Sequence, residues 1–421
     1  MGHGTVIVGA SQAGVQVAAS LRDAGYTESI TLIDGAHHEP YQRPPLSKDF
    51  LAGTVEAQGL RFRQRDYYET HGITLALGSA AVEVRRVGDG GVVVTEDGTE
   101  HPYERLVIAV GAQSRELVLP GAELDGVLTL RDADDADRVR AALETAQDVI
   151  VIGGGFIGLE VAASALKHGK SVTVLEAAPR IIGRAVGEET SSWFLDAHRS
   201  RGMTIEVDAR LVRFHERDGH VSGVELADGR ILPADVVVVG IGVVPRTDLA
   251  AQLGLGIDNG IVVDEFMVAS DGRTLAIGDV ANAPNPYDRV RSAMARVRLE
   301  SVNNAIEQAR TAAATILGAP QPYQAVPWFW SNQGDLRLQM AGLNVGHDRV
   351  VIRGDQDAPK FSVMYYRGDT LLGADCVNSP VDFMAVKSAL MKGQNIPPDA
   401  ATSDAPLKTL VVDHSIPSGS N

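Results

Sequence analysis

Apolar residues along this chain come in short runs that end in glycine. The first, Thr5-Val-Ile-Val-Gly9, leads into Ala13–Leu21, where Val17, Ala18 and Leu21 recur at helical spacing. Ile30–Ile33 reads as a second strand, which completes a strand–helix–strand unit and starts a doubly wound sheet. Leu106–Val110 is another buried-type strand, closed by Gly111. The pattern then restarts. Asp148–Gly153 predicts a strand, Phe156–Lys167 a helix and Ser171–Leu175 the next strand, with Val236–Val239 running into Gly240-Ile-Gly242. A long amphipathic helix is expected between Arg298 and Leu317, stopped by Gly318 and Pro320. Beyond it the texture changes to tryptophans and strand-like alternation, as in Lys360–Tyr366 and Leu371–Val377. Asn395–Asn421 is rich in Pro, Ser and Asp and reads as loop, one short helix and a frayed tail.

One nucleotide-type fold thus encloses another. The expectation is an α/β protein with two Rossmann-like dinucleotide-binding domains, one inserted in the other, and a C-terminal α+β domain. The boundaries drawn from the pattern are 1–112 with 239–319, then 113–238, then 320–421. A length of 421 residues suits two or three domains. With 44% hydrophobic residues there is ample core, yet no apolar run is long enough to span a bilayer. The first residues lack the basic start and apolar run of a signal peptide, so a cytoplasmic location is expected. The net charge of −16 argues against nonspecific binding to nucleic acid or anionic membranes. A single cysteine, Cys376, excludes an intrachain disulfide, a paired-thiol relay and an iron–sulfur ligand set.

A dinucleotide-binding turn needs a strand that delivers the chain to a tight glycine turn, with a helix N-terminus facing the pyrophosphate. Gly153-Gly-Gly155-Phe-Ile-Gly158 meets that pattern in full, after a strand and before a helix. Glu176 lies 18 residues after Gly158, where a carboxylate accepts from an adenosine ribose 2′-hydroxyl and repels a 2′-phosphate. That favours NADH over NADPH. The first turn, Gly9-Ala-Ser11-Gln-Ala-Gly14, is less regular, because Ser11 stands where the middle glycine is usual. Asp34 is its candidate ribose carboxylate. Nicotinamide delivers a hydride, so the second dinucleotide is most simply an acceptor, FAD. The adjacent His37 and His38 lack further ligands, and no metal is expected there.

Read beside these turns, Pro40-Tyr-Gln-Arg-Pro-Pro-Leu-Ser-Lys48 makes the chain resemble the NADH-dependent ferredoxin reductases of the putidaredoxin and rhodocoxin reductase type. Val151–Glu160, Val239–Pro245, Ala276–Asp279, Val297–Ala305 and Pro327–Ser331 extend the likeness over nearly the whole chain, in order. It implies that Ala13, Arg43, Lys48, Ala81, Arg131, Asp279, Val302 and Trp328 lie along FAD, together with the first turn. It likewise puts Gly153, Gly155, Gly158, Glu176 and Gly242 along NADH. Lys48 and Glu160 are implied as an ion pair beside the flavin, an ammonium that favours the reduced ring and a carboxylate that aims it. The helix starting near Ser301 would turn its positive end to the same ring. Departures from the family pattern are Ser11, Gly35 in place of an acid, Val110, Val280 and Asn303.

The implied acceptor is an acidic [2Fe-2S] ferredoxin, bound transiently by a monomer or weak homodimer, and serving a cytochrome P450 or ring-hydroxylating oxygenase. Arg63, Arg310, Arg337 and Lys408 occupy positions like the family's docking face, and Trp330 marks an electron exit. Arg289, Arg291, Arg296 and Arg298 form a further basic run. Thiol-dependent reductases of this fold are excluded by the lone cysteine and by Tyr41-Gln-Arg-Pro44 where a redox cysteine would stand. Rubredoxin and monodehydroascorbate reductases remain as alternatives, since they differ in acceptor surface. So does a flavin redox sensor like apoptosis-inducing factor.

Overall fold

The computed structural model describes residues 4–286 and 295–413. The chain forms two compact units, residues 1–42, 58–113 and 244–329 in the first, and 43–57, 114–243 and 330–421 in the second.

The first unit is built on a parallel sheet in the order Leu275–Ala276, Arg105–Ile108, Thr5–Val8, Ile30–Asp34 and Ile73–Leu77. Ile7, Leu32, Ile33, Val107 and Ile108 are fully buried. Unbroken apolar strands of this kind belong to a sheet covered on both faces. Helix Gln12–Asp23 buries Ala13, Val17, Ala18 and Leu21 and packs against helix Val302–Ile316. The latter presents Ala305, Ala309, Ala312 and Ala313 as buried residues, small enough for the two helices to approach closely. An antiparallel excursion, Ala81–Val87, Gly90–Thr95 and Glu100–Tyr103, alternates buried and half-buried positions along its central strand.

In the second unit the parallel sheet runs Thr204–Glu206, Ser171–Leu175, Asp148–Ile152, Val236–Val239 and Val127–Thr129. The two parallel sheets share one plan, in which the strand before the glycine turn is central and its successors run out to one edge. They differ at the opposite edge. In the first unit the edge strand comes last in the chain, and in the second it comes before the other four. A meander, Leu211–Arg217, His220–Leu226 and Ile231–Pro233, accompanies the second sheet. The C-terminal sheet has the order Trp328–Gln333, Leu336–Gly342, Thr370–Val377, Lys360–Arg367 and Arg349–Asp355, with antiparallel pairing among the last four. Helix Pro380–Met391 packs on its middle strands.

The fold class read from the sequence is the observed one, and the element limits differ in places. The long helix starts at Val302, because Ser301 caps it by accepting from the Asn304 N–H at 3.2 Å. Arg296–Val297 is instead a short strand. The run Leu106–Val110 leaves the sheet after Ile108. Neither antiparallel excursion follows from the strand–helix rhythm of the sequence. No helix among the described residues is long and apolar enough to cross a membrane.

Candidate functional site

Each parallel sheet ends in a glycine turn, and the two turns are built alike. Gly9 and Gly153 have φ of +109° and +107°, a region that L side chains rarely adopt. A Cβ on Gly9 would lie 2.3 Å from the Ala109 carbonyl oxygen, and one on Gly153 would lie 2.4 Å from that of Gly240. Both contacts are with the chain just past the neighbouring strand, at the crevice where a doubly wound sheet reverses its order. The last glycines are forced as well, since a Cβ would come within 1.9 Å of the Gly9 oxygen at Gly14 and 2.1 Å of the Gly153 oxygen at Gly158.

The middle position behaves differently. A Cβ on Gly155 would meet nothing within 4 Å, so the turn opens on free space, the room that a pyrophosphate would need to approach the backbone. Gly155 is the N-cap of helix Phe156–Lys167, and no side chain caps that helix. Ser11 occupies the equivalent place before helix Gln12–Asp23, and its hydroxyl makes no capping hydrogen bond. Elsewhere Asp132 and Ser301 do cap their helices. The two cradle helices therefore start with N–H groups that no capping side chain satisfies, the arrangement that receives phosphate. The residues fit two dinucleotides.

The acids are also equivalent. Asp34 accepts from the Ala10 N–H at 2.7 Å and from the Ala36 N–H at 3.0 Å. Glu176 accepts from the Gly154 N–H at 2.7 Å and from the Ala178 N–H at 2.7 Å. Each carboxylate ties the strand end to the glycine turn with one oxygen and orders the following loop with the other. Free lone pairs remain on both oxygens for hydroxyls. Gly35, the family's usual acid position, has little room, because a Cβ there would sit 2.9 Å from the Ala80 methyl. In the second unit, Gly242 has φ +99°, with the Arg184 guanidinium 3.3 Å from where its Cβ would be.

Of the residues implied along FAD, the first unit carries Gly9, Ser11, Ala13, Gly14, Asp34, Ala81, Asp279, Val302 and Trp328, and the second carries Arg43, Lys48 and Arg131. Gly278 brings Asp279 close to the first cradle, since a Cβ on it would lie 3.2 Å from the Ala13 methyl, and its N–H donates to Gln308 Oε1 at 2.7 Å. Arg298 Nη1 donates to the Asp279 carbonyl at 2.9 Å. Val302 opens its helix, Ala81 opens the first excursion, and Arg131 immediately precedes the capping Asp132.

Lys48 and Glu160 do meet. Lys48 Nζ lies 2.7 Å from Glu160 Oε2 and donates also to the Pro44 carbonyl at 3.1 Å. Glu160 is only 4% exposed, so it is no solvated helix glutamate. The sequence reading missed its other partners. Ser47 Oγ donates to Oε2 at 2.5 Å and Ser331 Oγ to Oε1 at 2.6 Å. Ser47 adjoins the lysine, and Ser331 and Gln333 share one face of strand Trp328–Gln333, but nothing in the sequence pairs them with residue 160.

The basic candidates are exposed but in different settings. Arg63 lies over the Tyr67 ring, Arg310 pairs with Glu307 at 2.7 Å, and Arg337 and Lys408 are exposed in the second unit. Trp330 is half-buried. Arg289 and Arg291 lie outside the described residues. Arg296 and Arg298 are not a solvated run, for Arg296 donates to the Val263 and Asn282 carbonyls and Arg298 pairs with Glu300 at 2.6 Å. Cys376 is buried, its thiol pushed up by desolvation. No group of three metal-binding side chains occurs among the described residues.

Residues 3–309 match the pyridine nucleotide-disulphide oxidoreductase family, and residues 328–411 match the reductase C-terminal family. The chain is 42% identical to rhodocoxin reductase of Rhodococcus erythropolis over 410 residues, 97% of this chain and 94% of that protein. Among solved structures it is similar to the ferredoxin reductase for the CYP199A2 system of Rhodopseudomonas palustris, with a TM-score of 0.91 and 40% identity, covering 96% of this chain and 99% of that one. The covalent putidaredoxin reductase–putidaredoxin complex matches with a TM-score of 0.91 and 38% identity, over 97% of each chain.

Proposed function

Because the chain belongs to the pyridine nucleotide-disulphide oxidoreductase family and carries the reductase C-terminal domain, we propose that it is an FAD-dependent NADH:ferredoxin reductase. It passes electrons from NADH through FAD to a [2Fe-2S] ferredoxin that serves a cytochrome P450 or ring-hydroxylating oxygenase. The observation that carries this reading is the pair of equivalent cradles in one chain, each with an uncapped helix start and an acid tied to its turn. Two dinucleotides and a single buried cysteine leave flavin, not thiols, to take the hydride.

When bound, FAD supplies the redox chemistry, accepting a hydride from NADH and returning electrons singly. The protein binds, orients and sets charge. Open space at Gly155 admits the NADH pyrophosphate, and the N–H groups at the start of helix Phe156–Lys167 donate to it. Glu176 accepts from the adenosine ribose and disfavours a 2′-phosphate by charge repulsion. Ser11, with no capping duty, is available to donate to the FAD pyrophosphate. The Lys48 ammonium, held by Glu160, would stabilise the negative charge that a reduced flavin ring gains. Trp330 marks the exit for electrons. The ferredoxin is acidic and transiently bound through Arg63, Arg310, Arg337 and Lys408, and the enzyme works as a monomer or weak homodimer.

Stopped-flow reduction by NADH, followed by turnover with a panel of ferredoxins and rubredoxins, tests the reading. Purified protein should be yellow, reduce rapidly with NADH and turn over with a [2Fe-2S] ferredoxin. Absence of flavin, or a long-lived reduced complex that no ferredoxin discharges, would refute it, and discharge by rubredoxin alone would change the acceptor.

A further inference from the structure

Glu160 is the end of a longer buried chain. Ser331, which donates to its Oε1, accepts in turn from Gln333 Nε2 at 3.2 Å. Gln333 Oε1 lies 2.6 Å from His198 Nε2. Ser331, Gln333 and His198 are each no more than 1% exposed, and all lie with Glu160 and Lys48 in the second unit. Two elements supply the chain, strand Trp328–Gln333 with its alternate buried positions and the last turn of helix Glu188–Ser200.

The direction of these bonds is fixed by their ends. The Glu160 carboxylate accepts from the Lys48 ammonium at one oxygen and from the Ser331 hydroxyl at the other. The hydroxyl oxygen is then left to accept from the Gln333 amide. That turns the Gln333 carbonyl toward His198, which must carry its proton on Nε2. Burial pushes the His198 imidazole down from its ordinary range, against the Gln333 hydrogen bond, which keeps the ring neutral as a one-proton donor. The charged groups facing His198 are Arg201 and Asp335, which pair with each other at 2.8 Å. Those facing Glu160 are Lys48, with the hydroxyls of Ser47 and Ser331. Every hydrogen of the chain points at one carboxylate, and aligned bonds polarise one another in a low-dielectric interior.

We infer that Ser331, Gln333 and His198 are positioning residues for the Lys48–Glu160 pair, a one-way hydrogen-bond chain that holds Glu160 aimed at Lys48. The inference rests on the proposed role of that pair at the flavin. One ammonium and one hydroxyl satisfy Oε2 of this buried carboxylate, and the chain satisfies Oε1, so loss of the Ser331 donor leaves Oε1 unpaired and the carboxylate free to turn away from Lys48.

The test uses the holoenzyme and flavin reduction by NADH, with the limiting rate and the KM for NADH read separately. In Ser331→Ala the limiting rate falls about tenfold with the KM unchanged, and Ser331→Thr, which keeps the hydroxyl, restores it. Gln333→Met lowers the limiting rate by less. Glu160→Gln slows reduction at least as much as Ser331→Ala. Selective 15N-histidine NMR should show His198 neutral and protonated on Nε2 between about pH 6 and 8. An unchanged limiting rate in Ser331→Ala, with Glu160→Gln slow, overturns the chain and leaves the ion pair standing. An Nδ1–H tautomer overturns it too, since the bonds would then run the other way. Unchanged rates in Glu160→Gln overturn the reading of the pair itself.

Discussion

Glu176, proposed to receive the adenosine ribose, also has a structural task. Its oxygens hold the Gly154 and Ala178 N–H groups, so it shapes the turn before any ribose arrives. Glu176→Ala should raise the KM for NADH about tenfold, as expected for lost hydrogen bonds to a charged group, and narrow the preference over NADPH. Steady-state kinetics with both nucleotides measures this, and an unchanged preference would remove Glu176 from ribose recognition. Asp375 has a structural task only. It accepts from the Tyr365 hydroxyl at 2.5 Å, and desolvation raises its carboxyl to about 6 despite the lowering pull of that bond and others. The folded value lies above the unfolded one, so the folded chain holds this proton more tightly. Its contribution to stability is therefore full below about pH 4 and is lost as pH rises through about 6, a change of roughly 2 to 3 kcal/mol. Denaturation of wild type and Asp375→Asn by urea from pH 4 to pH 7 should show their difference moving toward the variant by that amount. A constant difference would mean that Asp375 does not titrate in this range.

At the scale of elements, the strand–turn–helix units make a sharper prediction, because equivalent positions carry different residues. The open middle position tolerates a side chain, as Ser11 demonstrates in the first cradle, whereas the last position does not. Gly155→Ser should fold normally and weaken NADH binding by less than about tenfold, a loss within about 1.4 kcal/mol. Gly158→Ala should abolish NADH binding while the flavin spectrum persists, since its methyl would collide with the Gly153 carbonyl. NADH titration of the visible spectrum separates the two, and equal losses would show that the turn is not the binding element. These units were legible in the sequence because a buried parallel strand is continuously apolar and its turn demands glycine. The helix at Phe156–Lys167 and the strand at Ser171–Leu175 fall on the residues that the periodicity gives. The antiparallel excursions were not legible, since strands such as Ala81–Val87 are mostly solvent-facing and carry charges in place of an apolar run. Nor was the partner set of Glu160. A carboxylate at residue 160 meets serines at 47 and 331 only once the fold closes, and no local pattern encodes contacts that distant.

For the whole molecule, the issue is how a chain of net charge −16 would attract the acidic ferredoxin proposed for it. Overall charge acts at long range and repels it. Local cations act within a Debye length of roughly 8 Å at physiological salt. Docking of such a partner would depend on a few exposed bases acting against the mean field, and salt would have two opposed effects, screening both the repulsion and the attraction. The local part is isolated by reversing one cation. Arg310 is exposed on helix Val302–Ile316 and shares its charge with Glu307, so Arg310→Glu leaves two acids on one helix face. The variant should lose about tenfold in kcat/KM for ferredoxin at low ionic strength, with the gap closing as salt is raised. Reduction of ferricyanide, a small acceptor that needs no protein docking, should stay within about twofold, because distant surface charge adds little to the chemical step. Equal losses with both acceptors would place the effect on flavin or NADH instead. An unchanged ferredoxin rate would move the docking surface away from this helix.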